Sequence, residues 1–436
     1  MNLKYLKWLS LWVFPLLMTM TVSANDDLVK MAQDLGYPAT SAIAPKGAIV
    51  IEADTGQIIW GHDIDLQSDP ASTTKTMVIY LTMEAIKSGQ ISLDTEVVAT
   101  ETDQAISKIF ELSNNKIVAG VTYTVRELLT MTVVPSSNVA TLMLAHLIHD
   151  GTDASFIERM NATAQELGMT NTVFYNGTGA DIISFKGYYA PEGYDPVRYN
   201  LTTVKDLAIL ARALLTKHPD ILAFTNSAEV TVKTGTPYQE TFKTYNHSLP
   251  GASLAFEGVD GLKTGSSPTA GYNAIVTAKQ GERRLIAVVM GASKWGDPDG
   301  EHVRHYFVNA LLNHGFKDYE KKTVLPSGRQ EIEGKPYQVQ KPLVVTLKKA
   351  SPQPTLVIDH QQATVAGIAG LTESIAVPIE EVISLSTENS SSSEPPIKKE
   401  ADEWAAYLKV IALVIIVMIV VVLGLIIHEI KKHRHS

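Results

Sequence analysis

Pro70 stands just before Ala71-Ser72-Thr73-Thr74-Lys75, and the helical run Met77 to Ile86 follows. Proline there marks a helix start, which puts Ser72 and Lys75 in the first turn. Three residues apart, they share one helix face, one way to build a nucleophile beside its base. Spacing alone says little, since Ser113-Asn114-Asn115-Lys116 repeats it. The weight comes from two triplets downstream, Ser136-Ser137-Asn138 and Lys263-Thr264-Gly265. Thr124-Val125-Arg126-Glu127 has the form of a capping box opening the helix Leu128 to Val133, and Pro135 ends that helix. A further helix is predicted over Val139 to Ile148, so Ser136 to Asn138 falls in a tight loop between two helices.

Around these motifs the pattern alternates between classes. Gly47 to Gly61 reads as a hairpin turning at Asp54-Thr55-Gly56. Asn161 to Gly168 and Thr203 to Leu215 are predicted helices. Between them Asn176 to Asn200 is rich in glycine, tyrosine and proline without periodicity, and loops of that length are often functional. Strands are predicted at Leu262 to Thr264, Tyr272 to Ala278 and Leu285 to Met290, then an amphipathic helix at Val303 to Leu312. Helices inserted between a first hairpin and a later antiparallel group predict an α/β (α+β) catalytic domain with an antiparallel sheet and a helical lobe, over residues 25–317. Short β-like runs with Pro and Gly predict a small all-β domain over 318–386. A Ser/Glu/Pro-rich linker over 387–409 follows.

Both chain ends carry addresses. Lys4 and Lys7 precede an apolar run from Leu9 to Met20, and Val22-Ser23-Ala24 offers small residues for cleavage. Residues 1–24 read as a secretory signal peptide, with a short anchor as the alternative. Val410 to Ile427 holds 18 residues without a charge; roughly 20 span a bilayer, so 410–427 is predicted as a transmembrane helix. Lys431, Lys432 and Arg434 then make 428–436 a cytoplasmic tail and place the bulk of the chain outside the cell membrane. A net charge of −9 argues against a nucleic-acid partner. With no cysteine, thiol catalysis and disulfides are excluded. No His-Glu-x-x-His occurs, and neither a metal nor another cofactor is expected.

Acyl transfer needs a nucleophile, a base, a proton path and an oxyanion hole. Ser72 supplies the first. Lys75 serves as base only when neutral, so its pKa must fall several units below about 10.4. Burial and a second cation both act in that direction, and Lys263 is the candidate cation. Ser136 can relay a proton, and Asn138 can hold a substrate amide while orienting Lys75. Lys263-Thr264-Gly265 on an edge strand suits a peptide-like substrate, with Gly265 permitting close approach and the Lys and Thr meeting a carboxylate.

Together the three motifs resemble the active site of the penicillin-binding proteins and serine β-lactamases. The context chooses between copies. Gly258-Val259-Asp260-Gly261-Leu262-Lys263-Thr264-Gly265, followed by Gly271-Tyr272-Asn273, reproduces the family pattern, whereas Lys233-Thr234-Gly235 does not. The finer resemblance, over Ala48 to Leu385, is to the low-molecular-mass penicillin-binding proteins that are D-alanyl-D-alanine carboxypeptidases. It implies a β-lactamase/DD-peptidase-like fold and a peptidoglycan pentapeptide stem as substrate. It also implies β-lactam antibiotics as mimics that acylate Ser72. The backbone N–H groups of Ser72 and Ser266 would form the oxyanion hole, and Arg304 would help bind the terminal carboxylate. One departure bears on pocket shape: Asn176-Gly177-Thr178-Gly179-Ala180 stands where a Pro and a Leu are common. The alternatives are a serine β-lactamase, which needs neither anchor nor β domain, and an inactive wall-binding scaffold.

Overall fold

Isoleucine, valine and alanine dominate Gly47–Glu52, Arg283–Ala292 and Gly271–Gln280, and runs this apolar suit strands covered on both faces. In the computed structural model, which describes residues 27–382, they form the middle of a five-stranded antiparallel sheet. Ile58–His62 closes one edge and Val259–Ser267 the other. Alternation sorts the side chains. Ile49 and Ile51 face the helical lobe, while Ala48 and Val50 face the long helix Gly300–Asp318 and the short N-terminal helix Leu28–Asp34.

The helical lobe is built on Lys75–Lys87, whose residues from Lys75 to Met83 are all buried. Around it lie Val125–Val133, Asn138–Leu147, Asp153–Leu167 and Val204–Lys217. The predicted capping box is present at Thr124 and Glu127. Asp153–Leu167 begins eight residues before the predicted helix, because Thr152 caps it with a hydrogen bond from Ser155 N–H. The helices Leu28–Asp34 and Glu101–Ser107 were not anticipated; each has seven residues, too few to show a full amphipathic period. The second Lys-Thr-Gly copy lies at the turn of a hairpin (Glu229–Val232 with Glu240–Lys243), where Lys233 pairs with Glu127 at 3.0 Å over the Tyr123 ring. Its role there is to pin the hairpin to the lobe.

From Tyr319 to Glu381 the chain is β-structure with its own core around Val345, Val377 and Ile379. This part docks on the first hairpin of the central sheet through a buried polar knot. Gln57 Nε2 donates to Thr346 O at 2.6 Å and Gln57 Oε1 accepts from Thr346 N at 2.7 Å. Glu52 Oε2 accepts from Arg283 at 2.9 Å and from the Thr346 hydroxyl at 3.0 Å. Among the described residues no helix is long and apolar enough to cross a membrane. The expected signal peptide, linker, transmembrane span and tail lie outside the described residues.

Breaking a buried ion pair on one side leaves a charge without its partner, which costs several kcal/mol. Glu52→Ala is therefore expected to lower the unfolding free energy by about 3 kcal/mol, measured by urea denaturation. A loss within the scatter of a surface substitution would show that this knot carries no weight.

Candidate active site

Ser72 sits in a short 3-10 turn, Ala71–Thr74, that runs directly into the helix starting at Lys75. The helix thus begins later than the sequence implies, yet the serine and the lysine meet: Lys75 Nζ lies 2.8 Å from Ser72 Oγ. Asp69 fixes the turn. Its carboxylate accepts from Ala71 N at 2.7 Å and from the Ser267 hydroxyl on the edge strand at 2.7 Å.

Lys75 is fully buried, and Asn138 Oδ1 and Thr178 O each lie 2.8 Å from its Nζ. Two carbonyl oxygens and one hydroxyl would satisfy either the three N–H donors of an ammonium or the two N–H donors and one lone pair of a neutral amine. In the neutral form the carbonyls take both hydrogens, and the lone pair is left for the Ser72 hydroxyl to donate into. Electrostatics favour that form. Burial first, and the Lys263 ammonium second, hold Lys75 well below the usual lysine range.

Lys263 lies on the edge strand, and its Nζ donates to Ser136 Oγ at 2.8 Å and Thr264 O at 2.9 Å. Burial, with the Arg304 guanidinium adding to it and Glu301 opposing, lowers Lys263 to about 7. Ser136 adopts a left-handed backbone (φ 60°) between the two predicted helices, while Ser137 caps the second by accepting from Ala140 N at 3.2 Å. Ser72, Ser136, Thr264, Gly265, Ser266 and Arg304 line one cleft of about 160 Å³. Lys75, Lys263 and Asn138 stand behind its wall.

Gly265 has a role the sequence did not suggest. A Cβ there would lie 2.7 Å from Thr73 N and 2.9 Å from Ser72 N. The close approach is therefore first of all between the edge strand and the turn that carries Ser72. Gly179 is the counterpart behind the site: its φ is +85° and a Cβ would fall 1.9 Å from Ala71 O. The loop after Asn176 is thus a wall of the site and not a flap over it. Thr178 gives its carbonyl to Lys75, and Asn200 Nδ2 donates to Thr74 Oγ1 at 2.9 Å.

Other contributors were missed. Ser113, set aside as a chance copy, lines the cleft, and its carbonyl accepts from both Asn138 N at 2.8 Å and Asn138 Nδ2 at 2.9 Å. That orients the Asn138 amide with its oxygen on Lys75. Tyr245, Trp295 and Glu301 also line the cleft. No motif surrounds them, so sequence had no signal for them. Arg304 lines the cleft, is buried, and donates to Gly265 O at 3.4 Å and Tyr245 O at 3.1 Å. Among the described residues no group of His, Cys, Asp or Glu is arranged to hold a metal.

The family model described as D-alanyl-D-alanine carboxypeptidase matches residues 23–294, more than half of the chain. The chain belongs to this family. It is 32% identical over 277 residues to the D-alanyl-D-alanine carboxypeptidase DacF of Bacillus subtilis, a match covering 63% of each protein. The chain therefore spans less than two thirds of that relative's length. Penicillin-binding protein 6B of Escherichia coli superposes with a TM-score of 0.60 at 26% identity, over 79% of this chain and 97% of that one. Penicillin-binding protein D2 of Listeria monocytogenes, in its ampicillin-bound form, gives 0.51 at 26% identity, over 64% and 100%. The mixed α/β architecture with antiparallel sheets is the family's.

Two outcomes follow from this geometry. Gly265→Ala should push the edge strand off the Ser72 turn and, where that turn carries the nucleophile, slow covalent labelling by a penicillin about 100-fold, since small displacements at a reacting centre cost that much. Overpacking should meanwhile cost about 1–3 kcal/mol of stability. Unchanged acylation, measured by stopped flow with a fluorescent penicillin, would contradict the close-approach argument. Lys263 loses its charge as pH rises through about 7, so an anionic ligand in the cleft should bind more weakly above that value. Titration calorimetry should show this fall in wild type and a flat profile in Lys263→Met.

Proposed function

We propose that this protein is a serine-type D-Ala-D-Ala carboxypeptidase that removes the terminal D-alanine from peptidoglycan pentapeptide stems. The observation that carries the reading is the Lys75 environment, two carbonyl acceptors and one serine hydroxyl around a buried amine of depressed pKa. Ser72 attacks the carbonyl of the penultimate D-Ala while its proton passes to the Lys75 lone pair. Backbone N–H groups of Ser72 and Ser266 receive the oxyanion. Collapse of the tetrahedral intermediate breaks the peptide bond, and Lys75 returns the proton it took, through Ser136 held by Lys263, to the leaving nitrogen, so that D-alanine leaves as a neutral amine and Lys75 is neutral again. Water then attacks the acyl-enzyme with Lys75 again as base, returning Ser72.

Thr264, Ser266 and Arg304 all line the cleft, and Arg304 reaches Gly265 O, between the other two, at 3.4 Å, which suits the terminal carboxylate. A β-lactam offers a strained amide and a carboxylate in comparable places, and the ampicillin-bound form of the Listeria relative supports β-lactam binding here. Ser72 therefore forms a penicilloyl ester. The apolar run 410–427 and the N-terminal segment 1–24 support an outward-facing enzyme held at the cell membrane. Resemblance to the family supports the fine division into catalytic domain, β domain and linker.

Mass spectrometry of the purified protein tests the reading. Benzylpenicillin should add its full mass to the peptide containing Ser72, and a D-Ala-D-Ala pentapeptide should lose one alanine. Ser72→Ala should abolish both, lowering D-alanine release by more than about 1000-fold. Full release in that variant would overturn the nucleophile.

A further inference from the structure

The end of the cleft that suits a substrate carboxylate already holds one. Glu301, in the first turn of the helix Gly300–Asp318, pairs with Arg304 through Oε2 and accepts from the Ser266 hydroxyl through Oε1 at 3.3 Å. Both partners, and Glu301 itself, line the cleft that contains Ser72.

The rest of the Arg304 guanidinium is occupied by neutral acceptors. NH1 donates to Gly265 O and NH2 to Tyr245 O, while Nε points at His305 Nε2 at 3.3 Å. That ring is neutral: burial, then the Arg304 charge, hold His305 well below its ordinary value. Its Nδ1 lies 2.9 Å from Ser248 Oγ, which donates onward to Asn309 Oδ1, while Nε2 faces two donors, Arg304 Nε and His247 N–H, against one acceptor, Tyr245 O at 3.1 Å; that balance puts the proton on Nδ1 and the lone pair on Nε2. Glu301 is thus the carboxylate that compensates the buried Arg304. The two differ in freedom: the Arg304 side chain is 1% exposed and that of Glu301 is 33%. Only the glutamate has solvent to move into.

We propose that Glu301 is an internal competitor for the carboxylate subsite and sets the selectivity between carboxylate-ended and neutral-ended ligands. The inference rests on the acyl-transfer reading above. In the empty enzyme Glu301 satisfies Arg304 and the Ser266 hydroxyl. A ligand ending in a carboxylate takes those donors only by turning Glu301 out, because two carboxylates on one guanidinium repel each other. A ligand with a neutral end leaves Glu301 in place. The enzyme therefore discriminates less in favour of free carboxylates than its Arg304 alone would allow.

The test compares acylation of Ser72 by benzylpenicillin and by its methyl ester, in wild type, Glu301→Gln and Glu301→Asp, with second-order rates read by mass spectrometry on the full-length protein. Glu301→Gln should raise the ratio of the acid rate to the ester rate about tenfold, the loss of one charge-assisted competitor, because any effect on Lys263 and Lys75 is shared by both ligands. Glu301→Asp, one methylene shorter, should give a smaller gain in the same ratio, and decides the matter should Glu301→Gln not fold. Equal losses with both ligands would make Glu301 a positioning residue for Arg304 and overturn the proposal, as would an unchanged ratio. No acylation of wild type by either ligand would sink the acyl-transfer reading itself, and the proposal with it.

Discussion

A buried lysine amine held against a serine hydroxyl is the constraint on which the rest of this structure depends. Lys75 is fully buried, with a second buried lysine behind it and two carbonyls that can hold both hydrogens of its neutral form. Each of those groups comes from a different part of the fold. Asn138 opens one helix, Thr178 belongs to the long loop, Lys263 sits on the edge strand, and Ser72 lies one turn before Lys75. The lobe and the sheet must meet accurately for the four to converge. The glycine contacts show how close that meeting is: Gly265 and Gly179 both press on the Ser72 turn, where any Cβ would collide with backbone.

The cations behind the cleft are graded. Arg304 depresses Lys263, and Lys263 in turn depresses Lys75. Glu301 works against the first of these steps. Charge at the recognition end is therefore coupled to protonation at the chemical end through contacts within a single cleft. A charged Lys263 by repulsion keeps Lys75 neutral and so available to take a proton.

Much of this was legible in the sequence because motifs at helix starts and strand edges have backbone reasons for their spacing. Pro70, the capping box at Thr124 and Glu127, and Pro135 fixed local geometry that the structure contains. Gly258 to Gly265 was distinguishable from Lys233 to Gly235 by context, and the structure gives the second copy a hairpin-pinning role. What was not legible depends on contacts between distant segments. Ser113 serves the site through its backbone carbonyl, which no side-chain pattern reports. Thr178 does the same. Glu301 and Tyr245 lie outside any motif, and seven-residue helices carry too short a period to register.

The most direct test of this account is the titration of Lys75 itself, followed by NMR on protein carrying 13C-labelled lysine side chains and assigned with Lys75→Arg. Lys75 is predicted to titrate well below the ordinary value of about 10.4, and to move up toward it when Lys263 is replaced by methionine. A Lys75 that titrates at the ordinary value in the wild-type protein would contradict the neutral base and the convergence built around it.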